Sequence, residues 1–221
     1  MHIMSKLDNK DTLIKHFPVP MESSFPVNVP YINRLHYSPK RPIESRMHYH
    51  DSTEIGICRC GSGVFYIGNQ VCPFSAGDVI VVSPGTIHIA HSDQQIAGWQ
   101  FIDIDYSCLA NKLPPGCADL AGNFNGVITK ESNSKIATLI DFLLQEFADT
   151  KPYMESAVLH YAGQLAIELA RRSSESLKGL DNPAQFREIS PAIFYVSNFY
   201  NTNVTVKQLA DLCNLSVSSF R

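Results

Sequence analysis

The feature that most constrains the fold of this chain is a change of hydrophobic period near residue 130. Before it lie short runs rich in valine, isoleucine, phenylalanine and tyrosine, such as "VFYIGNQVCPF", "GDVIVVSPG", "IHIAHSD" and "GWQFIDIDY", broken by Pro, Gly, Asn and Asp. Strand and turn signals at this close spacing predict a compact all-β barrel or sandwich, and Gly68 with Asn69 suits a tight hairpin turn. After it, Ile136, Leu139, Ile140, Leu143, Leu144 and Phe147 recur at steps of three and four, the apolar stripe of one helix. Pro152 stands near the start of a second, whose stripe runs through Val158, Tyr161, Leu165 and Leu169. Two such helices make a hairpin, satisfied by the barrel, by each other or by a second copy; stripes this long beside a small barrel favour some use in dimerisation.

The bulk properties narrow the class. With 44% hydrophobic and 18% charged residues the chain is an ordinary folded one. Its first residues, "MHIMSKLDNKDTLIKHF", interleave charge with apolar side chains and lack a signal-peptide segment; no later run is long enough to span a bilayer. A cytoplasmic location is the expectation. A net charge of −3 leaves no electrostatic footprint for nucleic acid over the whole chain. The six cysteines show no zinc-ribbon spacing and read as reduced, buried thiols.

The C-terminal part carries its own signals. "RRSSESLKGLDNPAQ" reads as a linker, and a third helix can be drawn through Ile189, Ile193, Val196 and Tyr200. Thr205 and Gln208 have capping-box spacing, Asn214 can take the left-handed conformation that ends a helix near Cys213, Ser216 is placed to cap the next, and small Ala210 permits close approach. Helix, tight turn and helix make a helix-turn-helix pattern, which reaches about one turn into its second helix at Arg221.

On "SPAIFYVSNFYNTNVTVKQLADLCNLSVSSFR" the chain resembles the opening half of the DNA-binding domain of AraC-type transcription regulators. Its N-terminal part resembles a cupin, the small β-barrel that serves as effector-binding domain in such regulators. His48, His50, Glu54 and Gly61 meet the first cupin motif; Gly77, Pro84, Gly85 and His88 meet the second, with Ser83 where a proline is common and Ser92 where some cupins have asparagine. The resemblance implies an α+β multidomain chain: an N-terminal arm over 1–28, a cupin-like effector-binding domain over 29–130, a dimerising helical hairpin over 131–172, a linker over 173–186 and a partial all-α helix-turn-helix domain over 187–221. The expectation is a truncated regulator: sensor, linker and the start of a recognition helix (Ser216, Ser218, Ser219, Arg221). Its parent would bind DNA and this piece would not. In such regulators an arm can fold over the ligand.

His48, His50, Glu54, Cys58 and Cys60 share one parity and would all point into the barrel if strand pairing is regular throughout. His88 on a later strand adds a nitrogen. The resemblance implies that His48, His50, Glu54 and His88 hold a divalent transition metal; three histidines and a carboxylate suit zinc, nickel, iron, manganese or copper. The same side chains would equally serve a polar effector pocket without metal. Cys58, Tyr66 and Trp99 are added to that pocket, with Arg46 as a further polar group. His91 is expected to point outward and His36 to be structural. Either Trp99 and Phe101, or Gln100, Ile102 and Ile104, must line the interior.

The reading is therefore a homodimeric sensor that binds a small effector to control sequence-specific DNA binding, and not an enzyme. The alternative is a metal-dependent cupin enzyme of dioxygenase or isomerase type; a pH or redox switch on the histidines or on Cys58 and Cys60 is a minor one.

Overall fold

The computed structural model describes residues 14–30, 35–37, 47–68, 70–92, 97–176, 191–192, 195 and 204–220. The strands are β1 (Ile14–His16), β2 (Val27–Asn28), β3 (His36–Tyr37), β4 (Met47–Tyr49), β5 (Thr53–Cys60), β6 (Ser62–Ile67), β7 (Gln70–Ser75), β8 (Val79–Val82), β9 (His88–Ser92), β10 (Gly98–Ile104) and β11 (Gly126–Ile128). A 3-10 helix (Tyr106–Lys112) and α1 (Cys117–Gly122) lie between β10 and β11; α2 (Ser134–Asp149), α3 (Met154–Ser176), α4 (Val206–Leu212) and α5 (Val217–Phe220) follow. One sheet has the order β1-β4-β9-β6-β7 and the other β11-β8-β5-β10-β2, with β3 also paired to β10.

Residues directly opposite each other in a ladder share a face. On β5, Glu54, Gly56 and Cys58 lie opposite Asp103, Phe101 and Trp99 of β10, and Glu54 and Gly56 opposite Val82 and Ile80 of β8. Cys58, Ile80, Val82 and Trp99 on this face pack with Phe65, Ile67 and Phe74 of the other sheet into one apolar cluster. Gly56 is required there: a Cβ would stand 2.5 Å from Phe101 Cε1.

The alternate residues Ile55, Ile57, Val79, Val81, Ile102 and Ile104 pack on the opposite face against Ile136, Ile140 and Leu143 of α2 and Val158, Leu165 and Leu169 of α3. On β10 Trp99 is thus fully buried and Phe101 partly buried toward the second sheet, while the isoleucines are buried toward the helices. The helical stripes meet the sheet and each other. Polar contacts lock the seam: buried Asn133 donates to the carbonyls of Gly77 (2.8 Å) and Ile128 (3.2 Å), and Asp78 accepts from the backbone N–H of Lys130 at 2.8 Å. Arg59 on β5 binds both Gln100 and Asp141 of α2.

Three readings are corrected. The change from strand to helix is not clean at 130, because two short helices precede β11; each is too short to display a period. Cys60 does not point inward with Cys58: it is exposed while Cys58 is buried. The reason is an irregularity in the ladder, where Trp99 lies opposite Cys58 but adjacent Gly98 opposite Cys60, so pairing is not regular to the strand end. The second helix of the hairpin continues to Ser176, past the expected limit at 172.

The rest of the linker and the helix drawn through Ile189, Ile193, Val196 and Tyr200 lie outside the described residues, as do Arg46, Asn69, Arg221 and the arm before residue 14. The described arm is extended, as β1 and β2. Gly68 has a positive φ of 58° between β6 and β7, as a tight hairpin needs.

At the C-terminal end Thr205 and Gln208 form the expected capping box. Asn214 is left-handed at φ 53°, the backbone N–H of Leu215 donates to buried Ala210 at 2.9 Å, and that of Ser219 to Ser216 Oγ at 3.1 Å. Helix, turn and helix are locally built as their caps dictate. Among the described residues no helix is long and apolar enough to cross a membrane.

Candidate functional site

His48, His50, Glu54 and His88 come together at the edge between the two sheets, one ligand atom of each lying within 4.8 Å of the others. Local structure places each. His48 lies directly opposite His88 in the β4–β9 ladder, their ring centroids 4.3 Å apart. The Pro84–Gly85 turn brings β9 alongside: Gly85, at φ 72°, donates its N–H to the His50 carbonyl at 2.8 Å. Ser83, in the place of a proline, is tied by its N–H and Oγ to Asn125 and by Oγ to Thr86. Glu54 is the second residue of β5 and lies directly opposite Asp103 of β10 on the inner face.

The hydrogen bonds of the imidazoles define which nitrogens are available. His50 Nδ1 lies 2.9 Å from the Phe17 carbonyl and His88 Nδ1 2.8 Å from the Thr86 carbonyl. A carbonyl oxygen only accepts, so both Nδ1 atoms carry the proton and donate. That leaves each Nε2 facing Glu54, at 3.1 Å from Oε2 for His50 and 3.4 Å from Oε1 for His88. Both Nε2 atoms are fully buried, and Glu54 is the group they face.

Neutral imidazoles in this tautomer present lone pairs to a carboxylate that also has only lone pairs, an arrangement that requires positive charge among the four groups. The electrostatics agree. Burial opposes ionisation of Glu54, yet His88 and His50 hold its carboxyl far below the usual range. Burial lowers His50, but Glu54 and the Phe17 carbonyl outweigh it and raise it to about 9. Asp103 beside them is pushed up to about 7 by burial and by the charge of Glu54, and accepts from Ser52 Oγ at 3.2 Å. Convergent Nε2 atoms with a carboxylate opposite fit a divalent transition metal, and imidazole donors suit zinc, nickel, iron or copper.

The other expected pocket residues are placed apart from this cluster or behind it. Trp99 and Cys58 are buried in the aromatic interior that adjoins it: Phe65 stacks on His88 at 6.0 Å and meets Trp99 edge-on at 5.6 Å. Among the described residues Trp99 Nε1 has no hydrogen-bond partner, and Cys58, whose Sγ lies 3.3 Å from the Cys60 carbonyl, is raised by burial to about 12. Tyr66 is on the other face of β6, edge-on to His91 at 5.5 Å, so His91 lies on the face away from His88 but is half-buried there with its Nε2 covered. His36 packs edge-on against Phe101 at 5.7 Å. Ser218 and Ser219 lie within 2.9 Å and 2.8 Å of Ser216 Oγ.

Residue spacing missed Phe17, Thr86, Asn125 and Asp103. The first two act through backbone carbonyls, which leave no trace in side-chain identity. Asn125 lies in a loop 42 residues from Ser83. The alternation along "QFIDIDY" held the one available signal, for Asp103 shares a parity with Trp99 and Phe101.

Residues 40–106 match the family model of the AraC-like ligand binding domain. Among solved structures the chain is similar to the AraC-like transcriptional activator CuxR, at 14% identity and TM-score 0.36, covering 76% of this chain and 58% of that one. It is similar to ToxT from Vibrio cholerae O395 at 10% identity and TM-score 0.41, covering 90% of this chain and 73% of that one. A cupin protein from Bacteroides fragilis is similar at 19% identity and TM-score 0.25, covering 35% and 61%. The chain thus spans 58% of the length of CuxR. No curated protein matches it in sequence.

Proposed function

We propose, for a chain that carries an AraC-like ligand-binding domain over residues 40–106, that it is the sensing and dimerising portion of an AraC-type transcription regulator. A small effector binds at His48, His50, Glu54 and His88, anchored by a divalent transition metal. One observation carries the metal: one ligand atom each of His48, His50, Glu54 and His88 converges within 4.8 Å of the others, with the buried Nε2 atoms of His50 and His88 turned to the Glu54 carboxylate. When bound, the ion would take over from a protonated His50 as the positive charge facing Glu54 and offer an open coordination position to an effector oxygen or nitrogen. The chain's own part is to hold the imidazoles in one tautomer and to line the interior behind them with Phe65, Trp99 and Cys58.

In this reading 29–130 sense, the hairpin from 131 through Ser176 dimerises, the residues from there to 186 link and 187–221 begin a DNA-binding domain, Ser216, Ser218, Ser219 and Arg221 opening its recognition helix. The inner stripe of the hairpin is occupied within the chain, so the second copy is assigned to its outer side, where Phe142 is 44% exposed and its ring lies 5.4 Å from that of Tyr161. Effector occupancy would shift the arrangement of the two DNA-binding domains in the longer parent. The ligand-binding family match supports sensing over catalysis.

Elemental mass spectrometry on untagged protein tests the site. Near-stoichiometric divalent metal in the parent, lost in both His48→Ala and His88→Ala, is the expected result. Metal-free, folded protein would leave the same residues as hydrogen-bonding groups for an organic effector. Turnover of a substrate by the metal-loaded protein would replace the sensor by a cupin enzyme.

A further inference from the structure

The two imidazoles whose tautomer is defined differ in what defines it. The carbonyl that fixes His88 belongs to Thr86, two residues earlier on the same stretch of chain. The carbonyl that fixes His50 belongs to Phe17, 33 residues away on a separate segment. Phe17 directly follows β1, which among the described residues is an edge strand of its sheet and pairs with β4 alone. The strand runs parallel to β4, with Lys15 opposite His48 and His16 opposite Tyr49.

The other attachments of the segment end on the same few residues. Phe17 N–H donates to the Tyr49 carbonyl at 3.0 Å. His16 stacks on Tyr49 with ring centroids 4.8 Å apart, and its Nε2 lies 2.7 Å from Asp51 Oδ2. The Phe17 ring stands edge-on to His48 at 5.2 Å and tilted against His50 at 6.2 Å. Ile14 and Phe17, at 37% and 45% exposed, bury little apolar surface, so the strand is held mainly by these contacts to residues 48–51 and not by the core.

From this geometry we infer that Phe17 is a positioning residue of the metal site, and that docking of Ile14–His16 and Phe17 onto β4 is energetically coupled to ion binding. The inference rests on the reading of His48, His50, Glu54 and His88 as a metal site. Its physical basis is that a partner on the non-coordinating nitrogen fixes ring orientation and raises donor strength, and loss of such a partner typically weakens metal binding by about 10–100-fold. Coupling is reciprocal: if docking strengthens the ion's hold, the ion must strengthen docking by the same factor. The segment is thus an exposed, weakly packed strap whose attachment reports on the site without touching an ion.

The test uses zinc as the probe and the full chain, in the parent, in His16→Ala and in Phe17→Pro. The first variant removes the contacts to Asp51 and Tyr49; the second removes the N–H bonded to Tyr49. Neither alters a proposed ligand or a core residue, and a third variant, His16→Gln, keeps a donor for Asp51. Zinc affinity is read by competition with a chromogenic chelator, and amide hydrogen exchange over residues 14–17 is followed with and without zinc.

The expected result is zinc affinity about 10–100-fold weaker in His16→Ala and Phe17→Pro, partial recovery in His16→Gln, and slower exchange at the Phe17 amide of the parent when zinc is present. Equal affinity in all four proteins, with exchange over 14–17 indifferent to zinc, would overturn the positioning role and leave the metal site standing. A parent that binds no zinc would overturn the metal reading, and the inference with it.

Discussion

At His91 burial has a consequence for pH. Its Nε2 is buried without a hydrogen-bond partner among the described residues, and burial lowers its basicity below the ordinary histidine value. The folded chain therefore holds His91 neutral where the unfolded chain takes up a proton. The sign follows: the contribution of this residue is fully present above the ordinary value of about 6.5 and is lost as pH falls through it toward the lower folded value. His91→Gln should lose less stability than the parent between pH 7 and pH 5 in parallel urea titrations; identical slopes would remove His91 from the acid response. At the same scale the cluster was readable through the resemblance to the cupin motifs, because His48, His50, Glu54 and His88 are side chains whose identities carry their chemistry. The charge balance at Asp103 and the tautomer of His50 were not, since both arise from neighbours far away in sequence.

Among the elements, α4 and α5 depend most on local signals. Thr205 and Gln208 satisfy each other's backbone N–H groups, Asn214 adopts the left-handed turn and Ser216 caps α5. Such caps act within a few residues and need no tertiary partner, which is why the pattern was legible in the sequence. Thr205→Ala should destabilise α4 by about 1 kcal/mol, seen as faster amide exchange across 206–212 with exchange in β5 unchanged. The 3-10 helix and α1 are the contrary case. They are shorter than two turns of apolar period, and burial of Tyr106, Leu109, Cys117 and Ala121 against the main core holds them.

Over the whole molecule the sheet β11-β8-β5-β10-β2 is covered on both faces, by the other sheet on one side and by α1, α2 and α3 on the other. Neighbouring residues on the helical hairpin should therefore differ sharply. Leu143 is fully buried and Phe142 largely exposed. Leu143→Ala should cost about 2–5 kcal/mol and Phe142→Ala within about 0.5 kcal/mol, both by urea unfolding of the monomer. A large loss at Phe142 in concentrated protein that vanishes on dilution would locate the subunit interface on that side.

The sequence by itself determined the passage from a strand-rich to a helical part, the stripes at Ile136 to Phe147 and Val158 to Leu169, and the caps at Thr205 and Ser216, and its likeness to the cupin motifs named the four converging side chains. The stripes and caps follow from periodicity or spacing within one segment. Tertiary structure alone decided what the stripes meet, that both faces of β10 are buried, that Cys60 turns outward, and that a backbone carbonyl at Phe17 orients His50. The physical reason is common to them. Burial, ladder register and the partner of a buried nitrogen are relations between segments distant along the chain, and no single segment encodes the surface it will meet.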